Sequence, residues 1–105
     1  AVLRADMASA ELTIPSYAQG AAVDPSGRLW ISRSEIAWGC LDRLDPRTGR
    51  LERRYPIAGG IEGIAFDQTG HLWGVSEAGV RHIPLRYPFF PVIFRIDPAR
   101  LRVGD

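Results

Sequence analysis

Short apolar runs separated by turn-forming residues follow one another along the whole chain. Runs such as Leu29–Ile31 and Ile64–Phe66 are apolar at consecutive positions, which is typical of strands buried on both faces. Turn sequences such as Asp24–Gly27 stand between them. Their Asp accepts backbone hydrogen bonds, their Pro fixes its own dihedral angle and their Gly supplies a positive one. Gly or Pro every few residues excludes long helices, so the pattern predicts an all-β chain.

This strand-and-turn pattern is also an internal repeat. The eleven residues of Gly20–Trp30 align with Gly63–Trp73 at an offset of 43 without a gap, and six of the eleven are identical. A second phrase, Arg43–Pro46, recurs as Arg95–Pro98 at an offset of 52, so the second unit holds nine extra residues. A period of about 40 to 45 residues is typical of a four-stranded propeller blade.

The repeat predicts a segment of a β-propeller with about two and a half four-stranded blades. Residues 1–16 correspond to the outer half of a blade, 17–58 to a complete blade, and 59–105 to most of a further blade with an insertion at 78–91. The predicted strands are the innermost at 19–24 and 61–67, the second at 28–34 and 71–77, the third at 41–45 and 92–97, and the outer at 50–57. Propellers close with about four to eight blades. The rest of the propeller is therefore expected in a longer chain or in other subunits.

Several phrases carry a resemblance to known propellers. Gly63–Trp73 and Arg43–Leu51 resemble the group that includes the NHL-type repeats, the streptogramin-lyase-like propellers and the gluconolactonase-like (SMP-30-like) propellers. Glu62–Phe66 together with Val75–Glu77 also resembles the phytase-like esterase propellers. The resemblance implies a propeller fold and slightly favours an extracytoplasmic location. It says little about chemistry, because one fold hosts many functions.

Glu62 is the first candidate site residue. In gluconolactonase-like propellers a Glu directly before a Gly on an innermost strand binds a divalent metal, and Glu62-Gly63 matches that slot. Oxygen ligands suit Ca²⁺ or another hard divalent cation. The first unit has Gln19 at the same place, so the repeat itself does not require a carboxylate. The alternative role for Glu62 is a hydrogen-bonded polar residue at the start of a strand.

Five further residues are candidates for a channel or cleft, and Gln19, at the position equivalent to that of the first candidate, is one of them. Glu77 ends a second strand, where it is either a second acid or a solvated loop anchor. Arg33 precedes a short loop, and Trp38 in that loop either stacks on a ligand or fills a gap between blades. Tyr87 belongs to the insertion, whose prolines and aromatics form either a lid or a cleft wall.

Composition narrows the function without deciding it. The net charge is +1, which gives no electrostatic reason to expect nucleic acid or a membrane surface as a partner. The chain has no Lys, no Asn, a single Cys, and none of the HExxH, CxxC or GxSxG motifs. Two functions stay open. One is a module that binds a small molecule or a protein, and the other is a metal-dependent hydrolase or lyase with Glu62 at its metal.

Overall fold

The computed structural model describes residues 4–35, 38–57, 59–76 and 92–102. These residues hold seven strands, two short 3-10 turns at Ala5–Met7 and Pro98–Arg100, and no α-helix. The strands are β1 (Ala18–Val23), β2 (Leu29–Ser34), β3 (Gly39–Leu44), β4 (Leu51–Ile57), β5 (Ile61–Phe66), β6 (Leu72–Ser76) and β7 (Val92–Ile96). Each strand lies within two residues of its predicted bounds. No helix in these ranges is long and apolar enough to cross a membrane.

The strands form two antiparallel sheets, and neither sheet closes on itself. Sheet A has the order β1-β2-β3-β4, and sheet B has the order β5-β6-β7. Within each sheet, every strand pairs with the strand that precedes or follows it along the chain. The all-β prediction is therefore confirmed. The four strands of sheet A fall inside the predicted unit 17–58.

The two units of the repeat use the same turn chemistry. The carboxylate of Asp24 accepts hydrogen bonds from backbone groups of its own turn and, at 2.8 Å, from the indole Nε1 of Trp30. Asp67 does the same in its turn and accepts from Trp73 Nε1 at 2.8 Å. The glycine that ends each turn has a positive φ, 88° in the first and 87° in the second. Each turn thus fixes the indole ring that follows it.

An apolar core lies between the two sheets. Its fully or nearly fully buried members are Trp30 and Leu41 from sheet A and Leu72 from sheet B. Trp30 stacks on Tyr55 with ring centroids 5.6 Å apart and meets the edge of Phe66 at the same distance. The other partly buried members are Ile57, Ile64, Ile96 and Leu101. We call the side of sheet A that packs on sheet B its covered face.

Two of the predicted features differ in the structure or lie outside it. Residues 4–17 contain one 3-10 turn and no strand, so the half-blade predicted over 1–16 stays a prediction. They nevertheless contact sheet A: Arg33 Nε donates to the carbonyl of Ser16 at 2.8 Å, and Gly49 lies against Leu12 and Thr13. The insertion 78–91 lies outside the described residues.

Candidate functional site

The candidate residues that the structure describes lie at one end of the two sheets, opposite the Asp24 and Asp67 turns. This end, which we call the bulge end, comprises the first residues of β1 and β5, the last residues of β2, the β2–β3 hairpin and the turn before β5. It brings Gln19, Arg33, Trp38 and Glu62 into one region of the fold, because antiparallel pairing places the start of β1 beside the end of β2.

Gln19 and Glu62 are the extra residues of two equivalent β-bulges. Ala18 pairs with Arg33 and Gly20 with Ser32, so β1 advances two residues while β2 advances one. The same shift separates the pairs on either side of Glu62 in sheet B. A bulge redirects a side chain out of the ladder and is often found next to a functional site. Both bulged side chains are exposed to solvent.

The two bulges lie close together because β1 and β5 nearly touch. A Cβ atom on Gly20 would lie 2.9 Å from the Cα of Gly63 and 3.0 Å from the carbonyl oxygen of Glu62. Those distances are shorter than real Cβ contacts, so any side chain at position 20 would push the strands apart. Gly20, the glycine that follows the first bulge, therefore allows β1 and β5 to approach backbone to backbone.

The turn before β5 fixes Glu62 relative to the β2–β3 hairpin. The backbone N–H of Gly60 donates to the hydroxyl of Ser34. A Cβ on Gly59 would lie 2.9 Å from the carbonyl oxygen of Glu35 and 3.1 Å from that of Trp38. Only glycine fits against two carbonyl groups this close, so the turn and the hairpin form one packed unit.

Trp38 packs against three neighbouring side chains at the bulge end. Its indole Nε1 donates to the carboxylate of Glu35 at 2.6 Å. The guanidinium carbon of Arg33 lies 5.4 Å from the centroid of the indole ring. The ring of Tyr17 packs against it edge to face, with the two ring centroids 6.0 Å apart. Tyr17 has a φ of 64°. A non-glycine residue in the left-handed region stores strain and is found disproportionately at functional sites. No pattern in the sequence indicated Tyr17 as a site residue.

Arg33 does not offer a free charge to a ligand. Its guanidinium donates to the buried carboxylate of Asp42 at 3.3 Å and is only 12% exposed. Arg54 holds the same carboxylate from the other side with two hydrogen bonds of 2.7 and 2.9 Å. Three neighbouring strands, β2, β3 and β4, thus share one ion-paired cluster. Arg33 acts as a connection between this cluster, Trp38 and the chain before β1.

Cys40 lies beside the same carboxylate and is buried. Burial raises the pKa of its thiol, and the negative charge of Asp42 raises it further. The thiolate is the reactive form of cysteine, so this residue is protonated and unreactive at neutral pH. It packs with the Arg33–Asp42–Arg54 cluster.

A complete metal site is not formed by the residues that the structure describes. Within residues 4–35, 38–57, 59–76 and 92–102, no three His, Cys, Asp or Glu side chains are grouped as metal ligands. The donors present therefore do not fit a full calcium shell, which takes about six to eight oxygens. The other two candidates, Glu77 and Tyr87, lie outside the described residues.

No known protein family, curated protein or solved structure matches this chain. The geometry of the bulge end is therefore what indicates its function. That geometry is a pair of exposed polar side chains, Gln19 and Glu62, held on two closely packed strands beside an aromatic pair, Tyr17 and Trp38.

Proposed function

We propose that the chain is a segment of a β-propeller that works as a binding module and binds a small molecule or a protein at its bulge end. The remainder of the propeller would come from the same longer chain or from other subunits. The observation that carries the proposal is the pair of equivalent bulges at Gln19 and Glu62 on two inner strands that nearly touch.

Three features support binding at this end rather than at the other one. Both units have the bulge, but its extra residue is Gln19 in the first unit and Glu62 in the second. Folding of the unit therefore does not require a particular side chain at this position. Both side chains are exposed on a backbone that close packing holds in place, which is the arrangement that favours preorganised recognition. The Asp24 and Asp67 carboxylates at the opposite end are already occupied by their own turns.

Fragment binding measured by NMR on the full chain tests the proposal. Binding of a set of neutral and cationic fragments should shift the amide signals of Tyr17, Gln19, Trp38 and Glu62. Glu62→Gln should weaken the binding of the cationic hits, whereas the matched variant Glu11→Gln, in an exposed residue of the N-terminal segment, should leave it unchanged. Shifts confined to other surfaces would contradict the proposal.

The alternative function is a metal-dependent hydrolase or lyase of the lactonase- or esterase-like propeller type. The exposed carboxylate of Glu62 on an inner strand favours it, but the described donors do not complete a metal shell. We therefore expect that Ca²⁺ does not raise the unfolding temperature of this chain. A rise in the wild type that Glu62→Gln removes and Glu11→Gln keeps would move the assignment to the metal-dependent alternative.

A further inference from the structure

Sheet B has a face that corresponds, residue by residue, to the covered face of sheet A. The repeat aligns Gly63 with Gly20, Ala65 with Ala22 and Trp73 with Trp30. The offset of 52 in the third strand aligns Ile93 with Leu41. The cross-strand pairs Ala65–Trp73 and Val75–Ile93 place Ala65, Trp73, Val75 and Ile93 on one side of sheet B, together with Gly63. We call this side the open face.

The two corresponding faces differ sharply in exposure. Leu41 is fully buried at 0% exposure, whereas its counterpart Ile93 is 70% exposed. Trp30 is 3% exposed, whereas Trp73 is partly exposed. The two indoles recur at the repeat period, but among the described residues only Trp30 is covered by the other sheet. The open face holds a shallow apolar depression of about 260 Å³ lined by Gly63, Ala65, Trp73, Val75 and Ile93, among others.

The covered face of sheet A shows what kind of surface packs on a face like the open face. Sheet B packs on the covered face of sheet A with the side opposite its own open face, and that side carries Ile64, Phe66 and Leu72. Phe66 meets the edge of the Trp30 ring, and Leu72 is fully buried between the sheets. Sheet A and sheet B are therefore stacked head to tail, with one type of face on the other. A heterologous contact of this kind propagates from unit to unit.

We propose that the open face docks a further antiparallel sheet of the same repeat, supplied by the same polypeptide, with an aromatic side chain over Trp73. The inference rests on the propeller proposed above and adds the identity and chemistry of the missing neighbour. Ile93 and Val75 would be buried by this sheet as Leu41 and Ser32 are buried by sheet B. The depression over the two glycine-containing strands receives the aromatic ring.

A second copy of this chain does not supply the required face. In sheet A the side that would dock carries Asp42 where sheet B carries Phe94, because the offset of 52 aligns these two residues. Asp42 is paired there with Arg33 and Arg54, and Arg33 already contacts the N-terminal segment. Packing an ion-paired cluster onto an apolar depression is unfavourable. The neighbour is thus a unit with its own apolar face.

The test extends the full chain by one unit in repeat phase. Residue 105 corresponds to residue 53 by the offset of 52, so a second copy of residues 54–102 is fused after residue 105. Ile93→Arg is then introduced in the original unit of the extended chain and, separately, in the parent chain of 105 residues. Val23→Arg is the matched control, because Val23 is an exposed β-branched strand residue, 60% exposed, that lies outside the open face.

In the parent chain, Ile93→Arg should change the folding equilibrium constant less than about threefold, the usual range for an exposed position. In the extended chain it should lower that constant at least about tenfold, and the emission of the original Trp73 should shift to shorter wavelength on extension. Val23→Arg should behave alike in both chains. Equal effects of Ile93→Arg in the two chains, or separate melting of the added unit, would overturn the proposal.

A large loss in the parent chain alone would also overturn it, since it would show that the 105 residues already cover this face. None of these outcomes depends on ligand binding at the bulge end. Failure of the docking proposal and failure of the proposed function can therefore be told apart, because the first is measured by unfolding at Ile93 and the second by fragment binding at Glu62.

Discussion

Replacing Asp42 with alanine removes the carboxylate that three strands of sheet A share. In the wild type this carboxylate is fully buried, and it accepts hydrogen bonds from Arg33 on β2 and from Arg54 on β4. In the variant, Arg33 keeps the carbonyl oxygen of Ser16 and the ring of Trp38 as partners. A guanidinium that is only 12% exposed then has no counter-charge in the cluster.

The two halves of the cluster contribute unequally to the expected loss. Removing one partner of a buried ion pair destabilises a protein by about 3–5 kcal/mol, because the other charge stays buried and uncompensated. That figure applies to Arg33. The side chain of Arg54 is 46% exposed, so water replaces much of its lost interaction and its share is that of a surface pair, about 0–1 kcal/mol. We therefore expect Asp42→Ala to lower the free energy of unfolding by about 3 kcal/mol.

Urea unfolding followed by tryptophan fluorescence measures this loss, provided that the dependence on urea concentration is unchanged. Asp6→Ala is the matched control, because Asp6 pairs with Arg4 at 3.2 Å while both side chains are about 70% exposed. It should leave the unfolding curve unchanged. A loss below about 1 kcal/mol for Asp42→Ala, or equal losses for the two variants, would refute the assignment of Asp42 as a buried connection between strands.

Two further predictions concern the indole rings and their acidic partners. Trp30→Ala should lower the free energy of unfolding by roughly 3–5 kcal/mol, and Trp73→Ala should lower it by about 1–2 kcal/mol. The difference is expected because only Trp30 is covered by the other sheet in the described residues. Equal losses in urea unfolding would contradict this difference in packing. Hydrogen bonds from Thr69 and Trp73 hold the pKa of Asp67 well below its usual range. Its contribution to stability is therefore present above the unfolded pKa of about 3.9 and is lost as the pH falls through the folded pKa. Asp67→Asn should therefore reduce the loss of unfolding free energy that the wild type shows as the pH is lowered. An unchanged dependence of the unfolding free energy on acidic pH would contradict this.

The strands could be predicted because their signals are local. A turn such as Asp24–Gly27 marks the end of one strand and the beginning of the next, and the repeat gives the same phase twice. The bulges at Gln19 and Glu62 could not be predicted in this way. A bulge is a mismatch between two strands, so it exists only relative to the partner strand. The sequence indicated that residue 62 differs from its counterpart, Gln19. The structure shows that both side chains are exposed, so either residue is tolerated at this position.

The Asp42 cluster was missed although a signal was present. A lone Asp inside the apolar third strand needs a buried partner, and the hairpin register places Arg54 directly opposite Asp42. Trp73 repeats the turn contacts of Trp30 but is less deeply buried in the described residues. Turn chemistry is set within a unit and therefore repeats, whereas burial depends on the neighbouring unit and does not.

The most direct test of the head-to-tail arrangement is one substitution made at two corresponding positions. A Cβ on Gly20 would collide with the backbone of β5, 2.9 Å from the Cα of Gly63. A Cβ on Gly63 would instead point to the open face and meet a methyl group of Val75 at 3.1 Å, which a side-chain movement relieves. The two glycines are equivalent in the repeat, so only the neighbouring sheet distinguishes them.

We expect Gly20→Ala to lower the free energy of unfolding by about 2 kcal/mol or more, because overpacking against backbone cannot relax. Gly63→Ala should change it by less than about 1 kcal/mol in either direction, since the loss of chain entropy on folding is also reduced. Equal effects of the two variants in urea unfolding would contradict the stacking of sheet B on sheet A, and with it the position of the bulge end.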